Sequence, residues 1–289
     1  MGLTVAIVGG DRRMLYAARS LAARGYGVRF FSPDGAISEA GFGDVPLASL
    51  GECLGGAGAV VLPLPASRDG GTVWCPLVSA SPTVGEVFSL IPDGALVFAG
   101  KVTRCVADAA RERGIGVIDY YADEGFLIKN AALTAEGALA VILTELPRSL
   151  AGSKAAVFGY GRCASALVRR LIMLGADVSV IARSAVRRAQ AQADGARAYA
   201  PSEAAGALAG ADFAVNTVPA PVIGHAEAAN LAGAPVIELA DVSGVADGVK
   251  VNVIRAAGLP GRFSPETAGV MLAESIQGVS PLGRHSGTF

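Results

Sequence analysis

Histidine is nearly absent from this chain: His225 and His285 are the only two, and the second lies in a C-terminal tail without periodicity. A His-centred charge relay is therefore poorly supplied, which argues against hydrolase and hydroxyacid-dehydrogenase mechanisms. Cysteine is also sparse, and Cys53, Cys75, Cys105 and Cys163 form no C-x-x-C pair. A zinc site is not expected; free thiols in a reducing cytosol are. An excess of either charge is missing as well. With 24 basic against 25 acidic residues, no basic surface calls for nucleic acid or an anionic membrane. Long apolar runs are lacking although the chain is 52% hydrophobic. The longest candidate, Ala131 to Leu146, carries Glu136 and Glu145 and reads as too short to span a bilayer. No basic leader or cleavage site accompanies Leu3 to Val8, so no signal peptide is expected. A cytoplasmic protein is the economical expectation.

The apolar residues are arranged in short runs rich in Ala, Gly and Val, as parallel strands buried on both faces require. In the first half, Leu3 to Val8, Val28 to Phe31, Ala59 to Leu64, Ala95 to Ala99 and Ile115 to Ile118 read as strands. Helix-like segments separate them, among them 11–24 and Thr103 to Arg113. A second series begins near Ser153, with strands at Ala155 to Phe158, Asp177 to Ile181, Phe213 to Asn216, Val236 to Leu239 and near Val251 to Ile254. Strands alternating with helices predict an α/β chain of two Rossmann-like, doubly wound domains with parallel sheets. Residues 1–130 with about 264–289 form the expected N-terminal, substrate-binding domain, and 151–263 the expected NADP-binding domain. A linking helix is expected over 131–150, and a second helix over Ser264 to Gln277, opened by Ser264-Pro265-Glu266. Two linking helices would leave a hinged catalytic cleft between the domains. The tail from about Gly278 is expected to be mobile.

The most specific motif is Lys-Ala-Ala-Val-Phe followed by Gly159-x-Gly161-x-x-Ala164 and a helical stretch from Ser165 to Leu174. Glycine at 159 permits a sharp turn, glycine at 161 lets backbone amides approach a pyrophosphate, and Ala164 permits close helix packing. Tyr160, Arg162 and Cys163 fill the rest of the turn. The next strand ends at Arg183-Ser184, about 20 residues on, where the residue that reads the adenine ribose sits. A carboxylate there selects NAD. A guanidinium and a hydroxyl suit the 2′-phosphate of NADP, with Arg187 and Arg188 close behind.

Several other segments offer chemistry. Asn216-Thr217-Val218-Pro219 leaves a strand of the second series and either holds the nicotinamide ribose or is a polar strand exit. Gly9-Gly10-Asp11-Arg12 lacks the dinucleotide spacing and reads either as an anion site for the substrate or as a plain turn. Ser67-Arg68-Asp69-Gly70-Gly71-Thr72 is a second polar glycine loop at a strand end. Asp119, Asp123 and Glu124 lie in the densest ionisable cluster, as candidate general bases or as solvated loop carboxylates. Asn130 and Thr134 share a helix face, either lining the cleft or capping it.

Taken in order, A-I-V-G-G-D-R-R at Ala6 to Arg13, L-P-L-P-A-S at Leu62 to Ser67 and N-A-A-L-T-A-E-G at Asn130 to Gly137 resemble the dehydrogenase-like A-subunit family of dipicolinate synthases. V-F-G-Y-G-R at Val157 to Arg162, I-A-R-S at Ile181 to Ser184, N-T-V-P at Asn216 to Pro219 and G-L-P-G-R-F-S-P-E-T-A-G at Gly258 to Gly269 continue the resemblance. Residues 35–58 and the tail after Gln277 carry no matching motif. The resemblance implies oxidation of dihydrodipicolinate, a product of the lysine pathway, to pyridine dicarboxylate during sporulation, with NADP accepting a hydride. It also implies a flavoprotein-like second subunit. Arg12, Arg13 and Arg68 are the natural partners of the two carboxylates. An NADP-dependent oxidoreductase for another hydroxyacid or amino acid, and a non-catalytic cofactor-binding subunit, stay open. Whether the chain also forms a homo-oligomer is open too.

Overall fold

The computed structural model describes residues 3–32 and 45–278. The tail expected to be mobile, His285, and residues 35–44 of the unmatched segment lie outside them. The chain divides into two compact units, Met1–Lys129 with Ser264–Phe289, and Asn130–Phe263.

The first unit contains β1 (Thr4–Ile7), α1 (Arg12–Ala23), β2 (Gly27–Phe31), β3 (Leu47–Ala48), α2 (Leu50–Leu54) and β4 (Ala59–Val61). It continues with α3 (Val84–Leu90), β5 (Leu96–Ala99), α4 (Arg104–Glu112) and β6 (Val117–Asp119). Its six strands are all parallel in the order β3-β2-β1-β4-β5-β6. The order reverses between β1 and β4. That is the switch point at which doubly wound sheets bind ligands. Valine, isoleucine, alanine and phenylalanine on β1, β4 and β5 are almost all buried, because helices cover both faces of the sheet. Helix starts are set by side chains: Thr83 accepts from the Glu86 amide at 3.1 Å while Glu86 accepts from the Thr83 amide at 2.7 Å, a reciprocal cap on α3.

Helix α5 (Glu124–Glu145) crosses the boundary between the units. The linking helix was expected over 131–150, and both ends fall earlier. Asp123 Oδ1 accepts from the Gly125 amide at 2.9 Å and starts the helix there, while Pro147 disfavours helical backbone at Leu146. Its 22 residues are long and apolar enough to cross a membrane, so the expectation that this stretch is too short fails on length. Within the second unit its apolar residues serve a core instead: Ala135, Ala138, Val141 and Ile142 pack with Val157, Leu167 and Val168.

The second unit repeats the plan with β7 (Lys154–Phe158), α6 (Arg162–Met173), β8 (Asp177–Ile181), α7 (Ala185–Ala193), β9 (Arg197–Tyr199), α8 (Ala204–Leu208), β10 (Phe213–Asn216), α9 (His225–Leu231), β11 (Val236–Glu238), β12 (Val253–Arg255) and α10 (Leu259–Phe263). All six strands are parallel in the order β12-β11-β10-β7-β8-β9, with the switch point between β7 and β10. The chain then returns to the first unit as α11 (Pro265–Gly278), which packs on α1. Ion pairs from Glu274 to Arg24 at 3.6 Å and to Lys129 at 3.7 Å add to that packing.

Candidate active site

In the second unit, the turn after β7 has the shape a diphosphate needs. Gly159 sits at φ +92°, and a Cβ there would lie 2.5 Å from Thr217 Oγ1 and 3.0 Å from Val218 Cγ2. Only glycine fits. A Cβ on Gly161 would instead meet open space. Helix α6 begins at Arg162, three residues before the expected Ser165, and its N-cap is Gly161, which has no side chain to satisfy the first amides. The positive end of the helix thus starts without a capping side chain, as an anion site requires. Ala164 is fully buried against the sheet.

The other residues of the turn face protein. Tyr160 is buried and donates to Asp194 Oδ2 just past the end of α7, where Arg169 Nε also reaches Asp194 at 3.0 Å. Burial first, and the Asp194 carboxylate second, raise the phenol pKa. Cys163 is pushed up mainly by burial, offset in part by the Thr134 hydroxyl and the Arg162 charge. Thr134 itself donates to the Asn130 carbonyl at 2.8 Å. Asn130 and Thr134, expected among the substrate contacts, belong to the second unit, and Thr134 stands beside Cys163 of the glycine turn.

At the end of β8, Arg183 is exposed, and its side chain makes no hydrogen bond among the described residues. Ser184 caps α7 by accepting from the Arg187 amide at 3.4 Å, which leaves its O–H free to donate. Arg188 Nη1 donates to the carbonyls of Ala182 and Arg183 at 2.8 and 2.7 Å and so fixes the strand exit. Arg187 is occupied by Gln190 at 3.0 Å.

Asn216 and Thr217, expected at the nicotinamide ribose, are engaged within the protein. Thr217 Oγ1 donates to the Phe158 carbonyl at 2.7 Å. Asn216 is fully buried, and its Nδ2 donates to Glu238 Oε1 at 2.7 Å and to the Val218 carbonyl at 2.9 Å. Val218 N–H donates back to Asn216 Oδ1 at 3.0 Å, and Pro219 is exposed beyond it.

In the first unit, the turn after β1 is closed where that of β7 is open. Asp11 caps α1, accepting from the Arg13 amide at 3.1 Å and from Arg13 Nε at 2.8 Å. Arg13 is buried, with Nη2 donating to the Leu64 carbonyl at 2.9 Å. The Gly10 amide donates to the Trp74 carbonyl at 2.7 Å. With the Asp11 carboxylate already capping its first amides, α1 does not offer a diphosphate the uncapped start that α6 has.

Trp74 also donates its amide to the Ala66 carbonyl at 3.1 Å, so the strand-like segment beside it joins both turns at the β1/β4 switch point. Arg68 stacks on its indole at 3.9 Å. The loop between them is fastened by Asp69, whose Oδ1 accepts from the amides of Gly71 and Thr72 at 2.9 and 2.8 Å and whose Oδ2 accepts from the Thr72 hydroxyl at 2.5 Å. These bonds, the Thr72 hydroxyl first, hold the Asp69 carboxyl well below its usual range. Ser67, almost fully buried, donates to Asp69 Oδ1 at 3.1 Å. Gly10, Asp11, Ser67 and Arg68 are thus one cluster, with Arg12 exposed at its edge. Trp74 was not singled out by sequence, because its role comes from backbone pairing with residues far away in the chain.

The acidic candidates lie at the β6 end of the same sheet. Asp119 Oδ1 accepts from the amides of Lys101 and Tyr121 at 3.0 and 2.8 Å, and its Oδ2 from the Val102 amide at 3.1 Å. Lys101 has φ +55°, a strained conformation that this carboxylate clamps. Asp123 starts α5, and Glu124 is exposed in the first turn.

Residues 4–121 match the family described as the N-terminal domain of the dipicolinate synthase A-subunit, and residues 154–240 match the one described as NADP oxidoreductase, coenzyme F420-dependent. The chain is 25% identical over 288 residues to the dipicolinate synthase A-subunit of Bacillus subtilis (strain 168), with 95% of each chain covered. The dipicolinate synthase A-subunit from Bacillus halodurans has a similar crystal structure, with a TM-score of 0.83 at 26% identity over 96% of this chain and 97% of that one. A transhydrogenase from Sinorhizobium meliloti, 17% identical with a TM-score of 0.68 over 95% and 92% of the two chains, shares the fold. The second unit is accordingly an oxidoreductase-like domain of the nicotinamide-binding kind. With the first unit matched to the N-terminal domain of that A-subunit and nearly the whole length aligned with two such subunits, the chain is similar to the A-subunits of dipicolinate synthases.

Proposed function

We propose that the chain oxidises dihydrodipicolinate to pyridine dicarboxylate, with NADP as the hydride acceptor. The observation that carries this reading is the contrast between the two glycine turns. The one at Gly159 is uncapped and closed to any side chain, whereas the one at Gly10 is sealed by Asp11 and Trp74. One dinucleotide per chain fits this pair, bound by the second unit. Gly159, Gly161 and the α6 amides would hold the pyrophosphate, and Arg183 with Ser184 the 2′-phosphate. Bound there, NADP supplies the electrophilic ring that takes up a hydride.

The first unit then recognises the substrate. Arg68, held over Trp74, and Arg12 supply cations for the two carboxylates, and the indole offers a face to a planar ring. The dihydropyridine loses one hydride and one proton, and its ring becomes aromatic. That gain drives the reaction, so a strong protein base is not required. Asp119 and Asp123 already accept from backbone amides, and water suffices to accept the proton. A second reading is favoured by the same observation: a chain whose candidate carboxylates are structural fits a cofactor-binding subunit that completes its site with a flavoprotein-like second subunit. Product formed only when that partner is added would establish it.

Trp74 is the sole tryptophan, so its emission reports on the substrate side directly. Pyridine dicarboxylate should change that emission saturably, and Arg68→Ala should weaken the response and raise KM for dihydrodipicolinate. An unchanged KM in both Arg12→Ala and Arg68→Ala would contradict this placement.

A further inference from the structure

We infer that Glu238 is a positioning residue for the nicotinamide half of the cofactor, an inference that rests on the NADP reading above. Glu238 ends β11 and is 2% exposed, yet its hydrogen-bond partners are uncharged. Oε1 accepts from Asn216 Nδ2 at 2.7 Å and from the Ala240 amide at 3.1 Å, and Oε2 accepts from the Gly244 amide at 2.8 Å. Burying a carboxylate without a cation is costly, and three N–H donors offset that cost only while all are in place.

The network fixes the loops leaving two neighbouring strands. Asn216 uses both Nδ2 hydrogens and its Oδ1 on Glu238 and Val218, so its rotamer is fully determined. Gly244 closes over it so tightly that a Cβ there would fall 2.1 Å from Asn216 Nδ2. Thr217 and Val218, set by Asn216, are the residues that bound the space over Gly159. Glu238 therefore acts on the turn after β7 through Asn216, without touching it.

The direction of the effect follows from topology. Arg183 and Ser184, which read the adenosine side, follow β8, on one side of the β7/β10 switch point. The loops that Glu238 fastens follow β10 and β11, on the other. In a doubly wound sheet the two halves of a dinucleotide lie on opposite sides of that point. Disturbing Glu238 should weaken the nicotinamide half and spare the adenosine half.

Glu238→Gln retains an acceptor for Asn216 but turns an amide NH₂ toward the Gly244 N–H, donor against donor. Calorimetric titration of the full chain with NADPH and with 2′,5′-ADP separates the two halves. The Kd for NADPH should rise about tenfold or more, as losing a hydrogen bond to a charged group implies. The Kd for 2′,5′-ADP should stay within about twofold. Glu238→Asp, which keeps both acceptors on a shorter stem, should show the same asymmetry in milder form and serves if the glutamine variant does not fold. Equal weakening of both ligands would mean a general loss of structure and would overturn the inference, as would no change in either. Failure of the unaltered chain to bind 2′,5′-ADP would instead remove the NADP reading and the inference with it.

Discussion

The amide of Gly10 donates to the carbonyl of Trp74 at 2.7 Å. This bond decides what the first glycine turn is for. An amide given to protein is not available to an anion, and Gly9, at φ +85°, is glycine because a Cβ there would lie 2.8 Å from the same Trp74 carbonyl and 2.7 Å from Cys75 Sγ. Gly9→Ala should therefore cost stability, about 1–3 kcal/mol from strain and crowding, and leave NADPH affinity unchanged. Urea unfolding alongside cofactor titration checks both halves of this expectation.

Gly159→Ala should cost stability in the same way and NADPH affinity as well. The added methyl group would sit 2.5 Å from Thr217 Oγ1 and so force apart the turn proposed to hold the diphosphate. NADPH affinity should fall by more than about tenfold, measured by the change in nicotinamide fluorescence on titration. Retained affinity would show that the dinucleotide binds elsewhere.

Selectivity should turn on Arg183. With its side chain exposed at the end of β8 and Ser184 beside it, Arg183→Asp replaces an attraction for the 2′-phosphate with repulsion. Affinity for NADPH should fall about tenfold or more, while NADH binding holds or improves. The ratio of the two dissociation constants is the quantity to compare.

Two thiols should be silent in the folded chain. Burial pushes Cys53 and Cys75 from the ordinary value of 9.0 up to about 12. Below pH 9 both states hold the proton, and the thiols' contribution to stability is intact. Between about pH 9 and pH 12 the unfolded chain ionises them and the folded chain does not, so the unfolded state binds fewer protons and stability declines. Reaction with a disulfide reagent near pH 8 should spare these two thiols until denaturant is added. Rapid labelling of all four thiols in the native protein would contradict the burial.

Much of the architecture was legible because parallel strands leave dense apolar runs. The run before Gly159 and the run ending at Ile181 fall where hydrophobicity put them, and the turn residues between them follow from their sequence spacing. The short elements β3, α2 and β9 carry too few residues for a periodic signal, and α5 starts earlier than its composition suggests because Asp123 caps it. The position of Arg183 and Ser184 just past β8 was readable because the strand carries them to a fixed place. Asp119 and Asn216 were not, since a side chain's partners depend on backbone brought in from elsewhere: Lys101 and Val102 for one, the loop around Glu238 and Gly244 for the other. Gly9-Gly10 reads either as an anion turn or as a plain one until Trp74, more than 60 residues along the chain, is seen to take the Gly10 amide.

The central claim, hydride transfer from a dihydropyridine dicarboxylate to NADP, is tested most directly by following both products in one reaction. Purified chain, dihydrodipicolinate and NADP⁺ should yield pyridine dicarboxylate and NADPH in equal amounts, with little reaction when NAD⁺ replaces NADP⁺ or when the Gly159→Ala variant replaces the native chain. Pyridine dicarboxylate accumulating without matching NADPH, with and without the flavoprotein-like partner, would contradict it.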